Sequence, residues 1–473
     1  MRFACYCLIA CSLLCTLPLA VNAGELKGSM SCASATCHGG VVGRGPAWNH
    51  SFNVSRSNDP HVKAGLTLFE PTSQRIVKAL SPDVKSVKDP LYHELLRERC
   101  ISCHLTTTPN EITSVELISP LQIFEGVSCE SCHGAASEWF DQHVLVSWTG
   151  PERFSEATGM LDTESILGRS EVCMKCHVGS RTADGMVRDM NHDLIAAGHP
   201  ALRFDLLIYH EAMPHHWDDK GLVEQAFNES PFRIRAVSRL AGLSAAARLS
   251  GERAQDSLAE QSDAPEAVAG TKASKVPWPE LADFDCFACH QSLSPRAYRL
   301  PILVDGKPSL NISNGLPLWN AWYSAPLAAA GNTDVWKLRP RPGGQADWVA
   351  TAKQLADAYR EKAVAEAAAP PPAAPFAAVR QQLGRRAPSD WHSAAAMYLE
   401  LDAAARELRI KPDSQELGIK VEKILNEEVA PRLLFGLDRP QAESRRSSPA
   451  DFDPREFREA TLKALKSVYE EQP

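Results

Sequence analysis

The chain has 473 residues, 44% of them hydrophobic and 23% charged, an ordinary globular composition with length for two or three domains. Its formal net charge of −8 excludes the basic footprint that nucleic-acid binding needs. Its 14 cysteines are far from evenly spread, and their positions are its most informative feature.

The N-terminus has the form of a secretory signal, predicted here over residues 1–23. Arg2 precedes an uncharged, mostly apolar run from Phe3 to Ala20, and Val21-Asn22-Ala23 is a small-residue cleavage site before Gly24. Two alternatives stay open at this end: a lipoprotein box at Leu8-Ile9-Ala10-Cys11, or an uncleaved single anchor. Cys5, Cys7, Cys11 and Cys15 fall inside this leader, and the other ten cysteines form five pairs with none left over.

Each pair is followed at once by histidine. The first is stretched, Cys32-Ala33-Ser34-Ala35-Thr36-Cys37-His38. The other four have two-residue spacing: Cys100-Ile101-Ser102-Cys103-His104, Cys129-Glu130-Ser131-Cys132-His133, Cys173-Met174-Lys175-Cys176-His177 and Cys286-Phe287-Ala288-Cys289-His290. Histidine makes up 15 of the 473 residues, so five such hits by chance are on the order of 10⁻⁷ to 10⁻⁸. Cys-x-x-Cys-His is the attachment signature of c-type haem: two thiols form thioethers to the vinyl groups, and the next residue is set under the iron. The expected proximal ligands are therefore His38, His104, His133, His177 and His290. Zinc is the competitor, since two Cys-x-x-Cys knuckles make one Cys₄ site, but zinc has no need of the adjacent histidine. Covalent haem is attached outside the cytoplasmic membrane, which agrees with export and gives a periplasmic location as the expectation.

Four sites lie between Cys32 and His177 and the fifth at Cys286–His290, so a multihaem cytochrome c domain is expected over 24–300. The macrocycles would supply much of its interior, and strand signals are weak. From Pro231 the pattern turns helical, with Val237, Leu240, Leu243 and Ala247 at spacings of three and four; Ala254 to Lys275 reads as a loop. An α-helical region is expected over 301–473. It holds a helix from Asp347 to Ala365 with Trp348, Leu355 and Tyr359 on one face, and a break at Pro370-Pro371-Pro372. A further helix carries Trp391, Ala395, Tyr398, Leu401, Ala405 and Leu408. Asp453-Pro454-Arg455-Glu456 is a capping box opening a last helix through Phe457, Leu462 and Leu465. The predicted fold class is mainly α: a haem-packed module with an α-helical C-terminal region.

Each iron has a second axial position. Ten histidines lie outside the motifs (His50, His61, His93, His143, His192, His199, His210, His215, His216 and His392), while methionine is scarce, with 8 in the chain. Bis-histidine ligation is thus expected, with lower potentials than His/Met would give. The leading candidates are His143, ten residues after His133; His199, where Gly198 lets backbone approach a flat macrocycle; and His61, before an apolar stretch. His192 and His50 come next. His210, His215 and His216, around Pro214 and Trp217, read as solvent-facing, and His392 as structural.

The stretch Gly126-Val127-Ser128-Cys129-Glu130-Ser131-Cys132-His133-Gly134, with Trp139 and His143 downstream, resembles the multihaem family of tetrahaem cytochrome c five-five-four and hydroxylamine oxidoreductase. The likeness extends over residues 30 to 300, through Cys32 to Gly40, Asn191 to Pro200 and Trp278 to Leu281, and is nearest to large cytochromes of planctomycete type. It implies a mostly helical fold around closely packed haem pairs, distal histidines drawn from elsewhere in the chain, and electron transfer as the base activity. The chain departs from the family in having five sites, one of them stretched. It has no Cys-x-x-Cys-Lys site and no locatable tyrosine crosslink, so enzymatic activity is not carried over.

The expected function is a periplasmic electron carrier that works with other redox proteins, among them a membrane quinol-linked complex docked through the helical region. The alternative is an oxidoreductase acting on a small nitrogen or sulfur compound at one open iron, with His210, His215, His216 or Arg203 moving protons or holding an anion.

Overall fold

The computed structural model describes residues 24–108, 118–181, 186–218, 222–263, 277–284, 286, 303–304, 307–308, 319–324, 338, 340–370, 374–385, 388, 391–433 and 452–470. The leader, Cys289 and His290 lie outside the described residues. The fold is mainly α, as expected, with two-stranded ribbons Ser180–Arg181/Val187–Arg188 and Leu303–Val304/Lys307–Pro308.

The N-terminal part is a string of short helices with firm starts. These include Ser51–Asn58, α1 (Pro71–Leu80), α2 (Pro90–Arg99) and Pro120–Glu125. Asp89 caps α2, accepting a bond from the Leu91 amide at 3.1 Å, with Pro90 at the first helical position, where its missing N–H costs nothing. Ser119 and Gln122 form a reciprocal capping box around Pro120. The side-chain core here is small: Leu68, Val77, Val84, Tyr92, Leu96, Ile101, Leu105 and Ile118. His93 packs beside it, buried, with its Nε2 3.0 Å from the Val87 carbonyl, so it is a packing residue.

α3 (Ile166–His177) starts at Ser165, whose hydroxyl accepts from the Gly168 amide, and ends on the motif Cys173–His177. A much larger core begins on this helix, running from Ile166 to Val468. Its spine is α4 (Pro231–Asp263), packed along α5 (Gln345–Ala368). The loop expected from Ala254 is a correction: the helix continues to Asp263, with Ala254 and Ser257 buried. Polarity misled there, because Arg253 is buried in ion pairs rather than solvated.

α6 (Trp391–Ile410) lies against α4 and α7 (Gln415–Ile424) and is buried on almost every side. Its charged residues Glu400, Asp402 and Glu407 are buried as well. α8 (Pro454–Glu470) starts as read from sequence: Asp453 accepts from the Arg455 amide at 2.8 Å. Glu456, however, pairs with Arg432 at 2.8 Å, and Leu462 is exposed while Phe457 and Leu465 are buried. The segment joining the two cores places Phe204 inside the large core and against His177, with ring centres 5.5 Å apart.

Candidate haem sites

His104 and His133 end short helical turns, and His177 ends α3. Cys129–His133 is one turn, stopped by Gly134 at φ 90°. A Cβ at Gly134 would lie 2.0 Å from the Gly159 carbonyl oxygen, so only glycine lets the chain leave the motif by this route.

Three motif histidines each face a second histidine. His38 and His143 have ring centres 6.2 Å apart and planes within 11° of parallel. His61 faces His177 at 6.1 Å and 87°, and His104 faces His199 at 6.3 Å and 88°. Two iron–imidazole bonds of about 2.0 Å, with about 1.1 Å from each ligating nitrogen to its ring centre, put facing rings roughly 6.2 Å apart. The three pairs fit an iron held between them. They interlock the chain: His143 follows the third motif, His61 lies between the first and second, and His199 follows the fourth.

The rings are also oriented for ligation. Nδ1 of His38 is 2.8 Å from the Trp48 carbonyl, that of His104 3.1 Å from Ala64 O, that of His143 2.6 Å from Phe140 O, and that of His199 2.9 Å from Pro200 O. Nδ1 of His61 is 2.8 Å from the Asp59 carboxylate. Donating Nδ1–H to an oxygen fixes the tautomer and leaves Nε2 free for a metal. Burial further favours the neutral ring a ligand must be: it pushes His104 and His199 down, and His133 and His177 down to about 4. His61 is the exception, raised chiefly by its hydrogen bond to Asp59.

Thiols of different motifs lie close enough to interact. Cys32 is within hydrogen-bonding reach of Cys129, and Cys103 of Cys176. Cys132 in turn feels Cys173 and Cys176. The attachment points therefore succeed one another in the order His38, His133, His177, His104, which is not their order in the sequence. Among the described residues, no group of three or more His, Cys, Asp or Glu is gathered as a metal site, so the four-thiolate zinc arrangement is not assembled there.

His133 differs. No ring faces it at the spacing of the other three pairs among the described residues, but His216, His38 and Arg169 all lie close enough to depress its protonation, after burial itself. Nδ1 of His216 is 2.9 Å from the Pro214 carbonyl, the same anchoring as in the paired histidines. Around it, Trp217 touches His210, His215 and His216, and Arg169 lies over Trp217, 3.0 Å from His210 Nδ1 and 2.8 Å from Glu224. His210 and His216 are therefore packed into the protein, a correction to their solvent-facing expectation, while His215 is exposed. The signal for this cluster was the density of histidine and tryptophan around Pro214. His50 has a buried Nδ1 without a partner and no ring contact with a motif histidine among the described residues. The His192 amide donates to Glu280 at 2.9 Å, six residues before Cys286.

Residues 57–134 match the family model of cytochrome c554 and c-prime. The matched stretch holds His61 and the motifs at Cys100–His104 and Cys129–His133. It supports a multihaem c-type cytochrome family, with haem c as cofactor and electron transfer as the activity. No curated protein and no solved structure matches the chain. Among the described residues no helix is long and apolar enough to cross a membrane.

Proposed function

We propose that the chain is an exported, periplasmic multihaem cytochrome that carries electrons between redox partners. Its haems would be held at Cys32/Cys37, Cys100/Cys103, Cys129/Cys132 and Cys173/Cys176, with a fifth at Cys286/Cys289. The carrying observation is the set of three facing histidine pairs at 6.1–6.3 Å, with cysteines of neighbouring motifs close enough to interact. Bound haem supplies one-electron chemistry at each site. His38, His104 and His177 are the proximal residues of the paired sites, and His143, His199 and His61 their distal partners. Met30, Val41, Val42 and Trp48, which flank the first site in sequence, and Val144, Leu145 and Val146, which follow its facing His143, are exposed, and an apolar rim suits exchange with another redox protein at that end.

His192 is proposed as the distal residue of the fifth site, through its bond to Glu280. A second reading has its own observation. Among the described residues His133 has no facing ring at ligand spacing, while His216 and Arg169 lie nearby and His210 is 3.0 Å from Arg169, which favours an open iron acting on a small nitrogen or sulfur compound. Low-temperature EPR of the ferric protein, with haem quantified in the same sample, separates the two. Only low-spin signals accounting for all haem support the carrier. A stoichiometric high-spin signal that shifts on adding azide supports the open site. A haem content near zero in protein exported from a cytochrome c-maturing host would refute both.

A further inference from the structure

The paired histidines are not anchored alike. His38, His104, His143 and His199 each give Nδ1–H to a neutral carbonyl oxygen. His61 gives it to a carboxylate, Asp59 Oδ1, at 2.8 Å. The arrangement is locally built. Asp59 caps the turn Pro60–Lys63 and accepts the His61 backbone amide at 2.9 Å as well, and Pro60 holds the chain between them in one conformation.

Asp59 is 5% exposed, and among the described residues its ion-pair partner is His61. A buried anion with no lysine or arginine paired to it among the described residues is costly unless positive charge lies beyond the imidazole. An iron between His61 and His177 supplies that charge, and supplies more of it when ferric than when ferrous. The carboxylate also makes the imidazole a stronger donor by drawing on its N–H. Both effects favour the oxidised metal.

We propose that Asp59 tunes the His61/His177 site, making it the lowest in reduction potential of the three paired sites. The inference rests on the reading of His61 and His177 as axial ligands. In the row His38, His133, His177, His104 this is the third position, so an electron entering at the His38 end meets its uphill step there, before the His104 site. Asp59 is a positioning residue that acts through His61.

The test is a mediated redox titration of the full haem-loaded protein followed by EPR, comparing wild type with Asp59→Asn, Asp59→Glu and His61→Ala. Asp59→Asn keeps an acceptor oxygen and removes the charge; the midpoint of one haem should rise while those of the others stay in place. Asp59→Glu restores a carboxylate, and its midpoint should fall between wild type and Asp59→Asn. If Asp59→Asn fails to load haem, an upward shift in Asp59→Glu relative to wild type carries the same test. His61→Ala should convert one low-spin haem to high-spin. If it does so while both Asp59 variants leave every midpoint unchanged, the tuning role is overturned and the ligand reading survives. If His61→Ala leaves all haems low-spin, the ligand reading itself fails.

Discussion

Arg253 offers the sharpest test of how the helical region supports the haem module. From α4 its Nε is 3.2 Å from both Asp189 oxygens, its Nη1 is 2.5 Å from Asp283, and its Nη2 donates to Asp189. Asp189 lies three residues before His192, and Asp283 three before Cys286, so one guanidinium ties together the two approaches to the proposed fifth site. Burial opposes the Arg253 charge, but Asp189 and Asp283 together hold it firmly protonated. In Arg253→Met the stem remains and both carboxylates lose their cation. Breaking a buried pair in this way costs about 3–5 kcal/mol. Asp283 keeps the Ser250 hydroxyl at 2.7 Å and Asp189 is 16% exposed, so the lower end, about 3 kcal/mol, is expected. At about 2–4 °C per kcal/mol for a domain of roughly 200 residues, Tm should fall by about 6–12 °C. Circular dichroism melts at 222 nm measure this, with haem per chain determined in parallel and expected to fall by about one. Adding Asp189→Asn and Asp283→Asn removes the stranded charges and should recover most of the loss. A single variant melting within about 2 °C of wild type, or a triple variant no better than the single, would refute the reasoning.

The site geometry fixes three further outcomes. Near-parallel imidazoles give a rhombic low-spin ferric signal and near-perpendicular ones a strongly anisotropic signal with a large g value. The His38/His143 site should show the first and the His61/His177 and His104/His199 sites the second; EPR lacking any rhombic component contradicts the 11° pairing. Replacing His143 or His199 by alanine should turn one haem high-spin and let it bind carbon monoxide when reduced, whereas His50→Ala should leave the three paired sites closed; visible spectra of the reduced proteins decide this. Gly134→Ala must adopt φ 90° and meet the Gly159 carbonyl, so stability should drop by more than about 1–2 kcal/mol, read from denaturant midpoints.

Much of the architecture was legible in the sequence because its signals are local. α6 and α8 begin and end near where apolar spacing and Asp453-Pro454 place them, and the helical class follows from periodicity. The extension of α4 past Ala254 was not legible, since a run of arginine, glutamate and serine looks solvated until its arginine finds buried carboxylates. The exposure of Leu462 and the diversion of Glu456 to Arg432 have the same origin: a helix stripe states that one face is apolar, not what meets it. His216 escaped because the histidines and tryptophan around Pro214, though dense, fit a surface turn as well as a packed one. Its packing and its reach to His133 come from distant residues.

The sequence by itself determined where the five cysteine pairs and their adjacent histidines stand, because each motif is a spacing within a few residues of chain. It also determined that spare histidines outnumber the sites, and that helices dominate. Only the tertiary structure decided which histidine faces which, that the sites follow the order His38, His133, His177, His104, and that the carboxylate beside His61 is buried rather than solvated. The pairings and the order are relations across the chain, from Cys132 with Cys173 to His61 with His177, set by how turns and helices pack. The burial of Asp59 likewise depends on what packs over its turn, and no local spacing encodes either.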